Sequence, residues 1–309
     1  MPLSLSRASR YAWLTIAAAL ATMALKAVAW WRTGSVGLLA DALESMVNLA
    51  AGVLALLVLR VAERPPDEEH LYGHDKAEYF SSGAEGTLIV LAAASIAVTA
   101  GRRLLAPRPL EELGLGLTIL VVAAAVNLAV ALVLLAAGRR HRSITLRANG
   151  RHLMTDVWTS AGVLVGLGAV QLTGWQILDP LLGLGVAVHV AWTGVSLVRA
   201  SVGGLMDQAL PEADVALVRR ILAEYAEREG GEVRYHALRT RRAAARSFVS
   251  FHVQVPGAWS VQRGHDLLES LEEEIRRQLP EAAVFTHLEP VEDPRSYRDQ
   301  TFERAGSLP

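Results

Sequence analysis

The sequence predicts an α-helical membrane protein of six transmembrane helices with a C-terminal cytoplasmic α+β domain of order α-β-β-α-β. Three observations predict it. Six apolar stretches are each long enough to cross the roughly 30 Å hydrocarbon core of a bilayer. The charges are segregated, with more than half of the 30 basic and 31 acidic residues lying after residue 200. After Asp207 the continuous apolar runs give way to short segments of helical and alternating period. A chain that is 52% hydrophobic and so divided is no freely soluble enzyme. Its near-neutral charge offers no basic surface for nucleic acid. With no cysteine it has no disulfide framework, thiol nucleophile or thiolate metal site.

The six stretches run at about 11–31, 37–61, 80–101, 114–138, 147–172 and 178–199. The first follows Arg7 and Arg10 as a signal peptide would, but its apolar run exceeds a typical signal core, so it is read as a retained span. Arg7, Arg10, Arg64, Lys76, Arg139, Arg140, Arg142 and Arg199 lie on one side of the membrane. Arg32, Arg102, Arg103 and Arg108 lie on the other. The balance places both termini in the cytoplasm, in the cytoplasmic (cell) membrane. Frequent glycine and alanine in the spans permit close helix packing. Residues 1–207 form the transmembrane domain, and 208–309 form a domain large enough for its own core, with a polar tail after about 294.

In that second domain a helix spans about 211–228, with Leu217, Ile221 and Tyr225 on one face. Strands follow at 232–241 and 247–256; the second alternates Val249, Phe251, Val253 and Val255 against Ser250, His252 and Gln254. A helix at 260–278 repeats Leu267, Leu268 and Leu271, and a short strand closes at 283–289. Helices on one face of a small sheet would bury these faces.

Ionisable side chains within spans cost roughly 2.5–3.5 kcal/mol each, so each calls for a reason. Span 2 carries Asp41-Ala-Leu-Glu44-Ser-Met-Val-Asn48, and span 5 carries His152-Leu-Met-Thr-Asp156. Glu44 and Asn48 share one helix face, as do His152 and Asp156. Two matched i, i+4 pairs supply four N/O ligands, the number a tetrahedral divalent site requires. The plainer alternative is helix-to-helix hydrogen bonding. Asp41 lies on a neighbouring face, suited equally to pairing with Lys26 or lining a water cavity. Because carboxylate and imidazole bind metal only when deprotonated, protons compete for such a site. Asn48 cannot take part in that exchange.

The 61–78 loop holds Asp67, His70 and His74, which can converge if the chain turns at Gly73; a solvated acidic loop is the alternative reading. There is no His-Glu-x-x-His, so a zinc protease has no motif behind it. The second domain holds His236, His252, His265 and His287, with Glu289 two residues further. His287 and Glu289 share a sheet face, and the group reads as a second metal site. His141 and His189 have no partner by spacing and read as structural.

Together these features resemble the cation diffusion facilitator family of divalent-metal/proton antiporters over nearly the whole chain. The run His70-Leu-Tyr-Gly-His-Asp-Lys-Ala-Glu78 looks like its signature between spans 2 and 3. His152-x-x-x-Asp156 matches half of its transport site. His236-Ala-Leu-Arg-Thr-Arg and His287-Leu-Glu289-Pro match its metallochaperone-like cytoplasmic domain. The resemblance implies a transport site at Glu44, Asn48, His152 and Asp156, and a loop site at Asp67, His70 and His74. It further implies a binuclear site at His236, His252, His265, His287 and Glu289 that helps hold two tails of a homodimer together. Lys76 and Asp207 sit where related transporters have an inter-subunit charge pair. In span 2 the family usually has Asp or His followed by Asp. Glu44 followed by Asn48 removes one negative charge, which weakens Zn²⁺ binding or shifts selection toward Fe²⁺, Co²⁺ or Mn²⁺.

The expected function is export of a divalent transition metal, Zn²⁺ first among candidates, in exchange for protons, with tail-bound metal favouring the transporting state. The same mechanism would serve Fe²⁺, Co²⁺, Mn²⁺ or Cd²⁺. A membrane metal sensor that moves no ion, and a membrane metalloenzyme with a water-activating metal, are the rival readings.

Overall fold

A computed structural model of the chain describes residues 5–140 and 144–297; His141 and the tail beyond residue 297 lie outside them. The transmembrane helices are α1 (Leu5–Thr33), α2 (Val36–Ala62), α3 (Ala77–Leu105), α4 (Leu113–Arg140), α5 (Ile144–Thr173) and α6 (Leu178–Leu205). All six are long and apolar enough to cross a membrane. They extend a few residues beyond the apolar runs, because a helix need not stop where hydrocarbon ends: Ala77–Glu78 and Arg102–Leu105 continue α3 into polar surroundings. Large apolar side chains point outward, such as Leu56, Val165 and Trp192, as a lipid-facing surface requires.

Small residues and polar side chains set the packing between these helices. A Cβ placed on Gly86 of α3 would lie 2.8 Å from the carbonyl oxygen of Gly194 on α6, and one on Gly194 would lie equally close to that of Gly86. The two backbones therefore meet where neither position tolerates a side chain. The start of α2 is capped from α6. Buried Asp179 accepts the backbone N–H groups of Val36 at 2.9 Å and Gly37 at 3.1 Å, and the Ser35 hydroxyl at 2.5 Å. Ser35 Oγ in turn accepts the Leu38 N–H. Donors that a helix start leaves unpaired are thus satisfied inside the bundle.

The remaining elements are α7 (Glu212–Arg228), β1 (Arg234–Ala243), β2 (Arg246–Val255), α8 (Val261–Gln278), β3 (Ala282–Pro290) and a short 3-10 turn, Pro294–Tyr297. The sheet order is β1-β2-β3. The hairpin β1–β2 is antiparallel, whereas β3 returns through α8 to pair with β2 in parallel, so the sheet is mixed. Val249, Phe251, Val253 and Val255 form its inner face. They pack on Val218, Ile221 and Leu222 of α7 and on Leu267, Leu271 and Ile275 of α8. Ser260 caps α8 by accepting the Arg263 N–H.

By backbone compactness the chain forms two units, one of residues up to Leu57 with Ser81–Arg199, the other of Val58–Phe80 with everything from Ala200. The 58–80 segment thus goes with the α/β elements, whereas a division at 207/208 leaves it with the spans.

Gly86→Leu is expected to destabilise the bundle by about 1–3 kcal/mol, the usual cost of forcing carbons into a closed contact. Thermal unfolding in detergent, beside the lipid-facing control Val165→Leu, measures it.

Candidate metal centres

The membrane-embedded candidates are positioned by a buried network on α2. The Lys26 ammonium on α1 donates to Asp41 Oδ1 at 2.9 Å and to Ser45 Oγ at 3.0 Å, and both charged side chains are 1% exposed. From α5, the Ser160 hydroxyl donates to Asp41 at 3.1 Å. Of the two roles open to Asp41 from sequence, the structure shows the pairing with Lys26; Asp41 also lines a largely apolar cavity.

The same contacts fix the alignment of α2 and α5. A Cβ on Gly37 would touch Val163 Cγ1 at 3.4 Å, and Asp41 meets Ser160 one turn further along. The helices are therefore antiparallel there. Continuing by one turn brings Glu44 level with Asp156, and by another brings Asn48 level with His152. Asp156 is buried, Glu44 and Asn48 are half-buried and His152 is exposed. Glu44, His152 and Asp156 do not converge to within 4.8 Å of one another, as the two clusters below do.

In the loop between α2 and α3, Asp67, His70 and His74 each offer a ligand atom within 4.8 Å of the others. His70 Nδ1 lies 3.1 Å from Asp67 Oδ1, and His74 Nε2 lies 3.3 Å from Oδ2. Asp67 Oδ1 also accepts the backbone N–H groups of His70 at 2.7 Å and Glu69 at 3.1 Å. These bonds, that of the His70 N–H first, hold the Asp67 carboxyl below its ordinary value. Gly73 supplies the turn at φ +84°, which other residues enter only under strain.

Tyr72, between the two histidines, sets its ring edge-on against Phe248 at 5.8 Å and Phe285 at 6.4 Å. Asp75 pairs with Arg246 at 3.2 Å. The loop is thereby seated on the ends of β2 and β3. Sequence reasoning missed these contacts; the aromatic in the middle of the His-x-x-x-His run was the available signal.

The third candidate comes from strand register. His236 on β1 is directly opposite His252 on β2, which is opposite His287 on β3. Three imidazoles therefore form one row across the sheet, with neighbouring ring centres 5.1 Å apart. A bulge between His236 and Arg239, with Ala237 at φ +51°, lets the strand keep this register. Glu289, two residues past His287, places Oε2 2.8 Å from His236 Nε2 and Oε1 3.1 Å from His252 Nδ1.

His236, His252 and Glu289 converge within 4.8 Å. The more exposed His287 lies 3.6 Å from the same carboxylate. Among the described residues, His236 Nδ1 is buried with no hydrogen-bond partner. Two imidazoles, a carboxylate and a third ring nearby suit a borderline divalent metal. His265 is exposed on the first turn of α8 and stands outside this cluster.

Lys76 and Asp207 are joined within a single chain at 2.8 Å, and Arg241 adds a contact at 3.2 Å. The Lys76 hydrogen bond holds the Asp207 carboxyl below its usual value of 3.8.

A polytopic membrane protein with polar and ionisable side chains in its spans and His/carboxylate clusters outside them has donor groups of the kind that suit metal cations. The cation efflux transmembrane domain matches residues 12–206, and the cation efflux cytoplasmic domain matches residues 210–291. The chain belongs to the cation efflux, or cation diffusion facilitator, family, which is a family of transporters.

An uncharacterized transporter of Synechocystis sp. is 52% identical over 93% of this chain and 92% of its own. The cation-efflux pump FieF of Klebsiella pneumoniae is 30% identical over 96% of this chain and 97% of its own. Among solved structures, a Zn form of CzrB is 37% identical, covering 28% of this chain and 93% of that one with TM-score 0.24. The metal-bound C-terminal domain of the CzcD transporter from Thermotoga maritima is 22% identical, covering 28% and 99% with TM-score 0.24.

Two outcomes are expected. Glu289→Gln should weaken metal binding by the tail cluster about 10- to 100-fold, read by calorimetric titration of the full chain against Glu63→Gln. Because the folded Asp207 value is depressed, its stabilising contribution is complete above the ordinary carboxylate range and fades as pH falls through the lower folded value. Asp207→Asn should remove that acid-side loss, in melting temperatures measured from neutral pH downward. With Asp207 half exposed, salt should shrink the effect.

Proposed function

We propose that the protein is a homodimeric secondary transporter of the cytoplasmic membrane, with both termini in the cytoplasm, that exports a divalent transition metal in exchange for protons. Zn²⁺ is the first candidate ion. The observation that supports the reading is the antiparallel contact of α2 with α5 at Gly37/Val163 and Asp41/Ser160, from which helix rise carries Glu44 toward the level of Asp156 and Asn48 toward that of His152. A carboxylate, a carboxamide, an imidazole and a carboxylate are a complete N/O donor set for such an ion.

Charge supports the exchange. Lys26 and Asp41 neutralise each other, so the two carboxylates of Glu44 and Asp156 match the charge of one divalent ion. Protons compete with metal for those oxygens and for the His152 ring, so a proton gradient can drive release. Asn48 binds through a neutral oxygen and carries no proton in the cycle.

The α/β domain contributes regulation. Its His236/His252/Glu289 cluster supplies three ligands, His287 stands beside it, and His265 lies away from it in its own chain. A second copy bringing in further ligands would complete the site and join the two tails. On this reading the tail ion is resident and the ion in the spans is cargo.

Flux into proteoliposomes with a lumenal metal-sensitive dye tests the reading across Zn²⁺, Fe²⁺, Co²⁺, Mn²⁺ and Cd²⁺, with and without a pH gradient. Proton-dependent flux abolished in Asp156→Ala is the expected result. Absence of flux for every ion, with the tail still binding metal, would establish a sensor instead. Asn48→Asp should favour Zn²⁺ over Mn²⁺ relative to the native chain. His236→Ala should raise the metal concentration at which transport switches on, with less effect on turnover at saturation. An unchanged metal dependence would overturn the regulatory part.

A further inference from the structure

A cavity of about 560 Å³ opens between α2, α5 and α6. It extends from Gly37 and Leu178, where α2 and α6 begin, to Glu44 and His189 within those helices. We propose that His189 is a further metal-binding group of this cavity, holding a divalent transition-metal ion in passing between the Glu44/Asn48/His152/Asp156 set and the Gly37/Leu178 end of the cavity. The inference rests on the transport reading above and adds a residue that neither the spacing pattern nor the four-ligand set includes.

The depth of His189 follows from helix contacts. α6 meets α2 where a Cβ on Gly183 would clash with the Val36 side chain, and it meets α5 where one on Gly166 would clash with Leu182. Counting inward from Gly183 to His189 and from Val36 to Glu44, at about 1.5 Å per residue, the two side chains start within about 3 Å of the same level. The second contact, run in the opposite sense along α5, puts His189 level with Thr159, about one turn nearer that Gly37/Leu178 end than Asp156.

Chemistry at that level is sparse. Asp41 is already held by Lys26 and Ser160. Among the described residues, no hydrogen bond or ion pair holds the Glu44 carboxylate or the His189 ring. Of the cavity's remaining side chains, only the Thr159 hydroxyl and the Trp158 indole are polar; the others are glycine, leucine and valine.

An ion leaving Glu44 along the cavity toward its Gly37/Leu178 end therefore meets one strong donor, the exposed His189 imidazole. Between Asp179 and Arg199 it is the one ionisable side chain on α6. Placing it in a span is costly without a use, and Asp179 is committed to capping α2. Imidazole favours Zn²⁺, Co²⁺ and Cd²⁺ over Mn²⁺, whose preference is for oxygen, so His189 would select among cations as well as pass them on.

Two variants test this. His189→Gln keeps a polar side chain but removes the imidazole, and should lower Zn²⁺ flux at sub-saturating metal about tenfold while Mn²⁺ flux stays within about twofold. Melting temperature and tail metal binding should match the native chain. Because the protein has no cysteine, His189→Cys introduces a single thiol whose labelling by a maleimide reports binding without transport. Zn²⁺ and Cd²⁺ should protect that thiol and Mn²⁺ should not.

An unchanged Zn²⁺:Mn²⁺ ratio in His189→Gln, or both ions slowed equally, would overturn the proposal, as would a thiol labelled at the same rate with and without Zn²⁺. Those outcomes leave the transport reading intact if the native chain moves metal. A native chain that moves no ion overturns both.

Discussion

The ion pair between Lys26 and Asp41 is the constraint on which the membrane-embedded part depends. Two opposite charges at 1% exposure are tolerable in an apolar bundle only together, since removing one strands the other. The pair ties α1 to α2, and Ser160 extends it to α5. Asp179 ties α6 to the start of the same helix. With α2 held from three sides by directional bonds, its rotation and its register against α5 are fixed. Van der Waals contact among leucines and alanines would leave both free to slide, because lipid competes equally well for apolar surface.

In the α/β part the corresponding constraint is the two-residue period of a strand. Once Val249, Phe251, Val253 and Val255 are committed to the core, Phe248, Ser250, His252 and Gln254 must face the other way. The parallel pairing of β3 then sets His287 beside His252, and the hairpin sets His236 on its far side. The burial pattern that stabilises the domain thus also builds the row of histidines. The aromatic end of that outer face, Phe248 and Phe285, receives Tyr72 from the loop that carries Asp67, His70 and His74. Loop and sheet are therefore mechanically continuous within one compact unit.

Much of this was legible in sequence because it is periodic or local. Six apolar runs, an alternating strand and i, i+4 pairs in the spans follow from geometry that a single segment carries. The approach of Asp67, His70 and His74 needed only a turn at Gly73. What could not be read depends on distant partners. Asp179 looks like an ordinary residue at the start of an apolar run, and only the fold shows it capping a helix 143 residues away. His189 has no partner by spacing because its neighbours lie on other helices. The mixed sheet was likewise hidden: the order of elements does not say which edge of β2 the last strand will join.

The contrast between the gathered and ungathered donor sets has a physical reading. The loop and tail clusters bring three possible ligand atoms within 4.8 Å of one another, whereas Glu44, His152 and Asp156 stay further apart. Convergence raises affinity because less reorganisation is needed on binding, and that suits an ion meant to stay. On the transport reading proposed above, an ion in the spans must leave again. On that reading, a set spread over two levels of α2 and α5 would gain its full coordination only with the helices closed around the ion, so a modest shift between them would change affinity steeply. The rigid network one turn away, Lys26–Asp41–Ser160, supplies the fixed point against which such a shift can occur. Glu44 and Asp156 lie one turn beyond that anchor, and Asn48 and His152 two turns beyond. The pair furthest from the anchor is then the freer to move, and it contains Asn48, the one proposed ligand whose oxygen carries no charge.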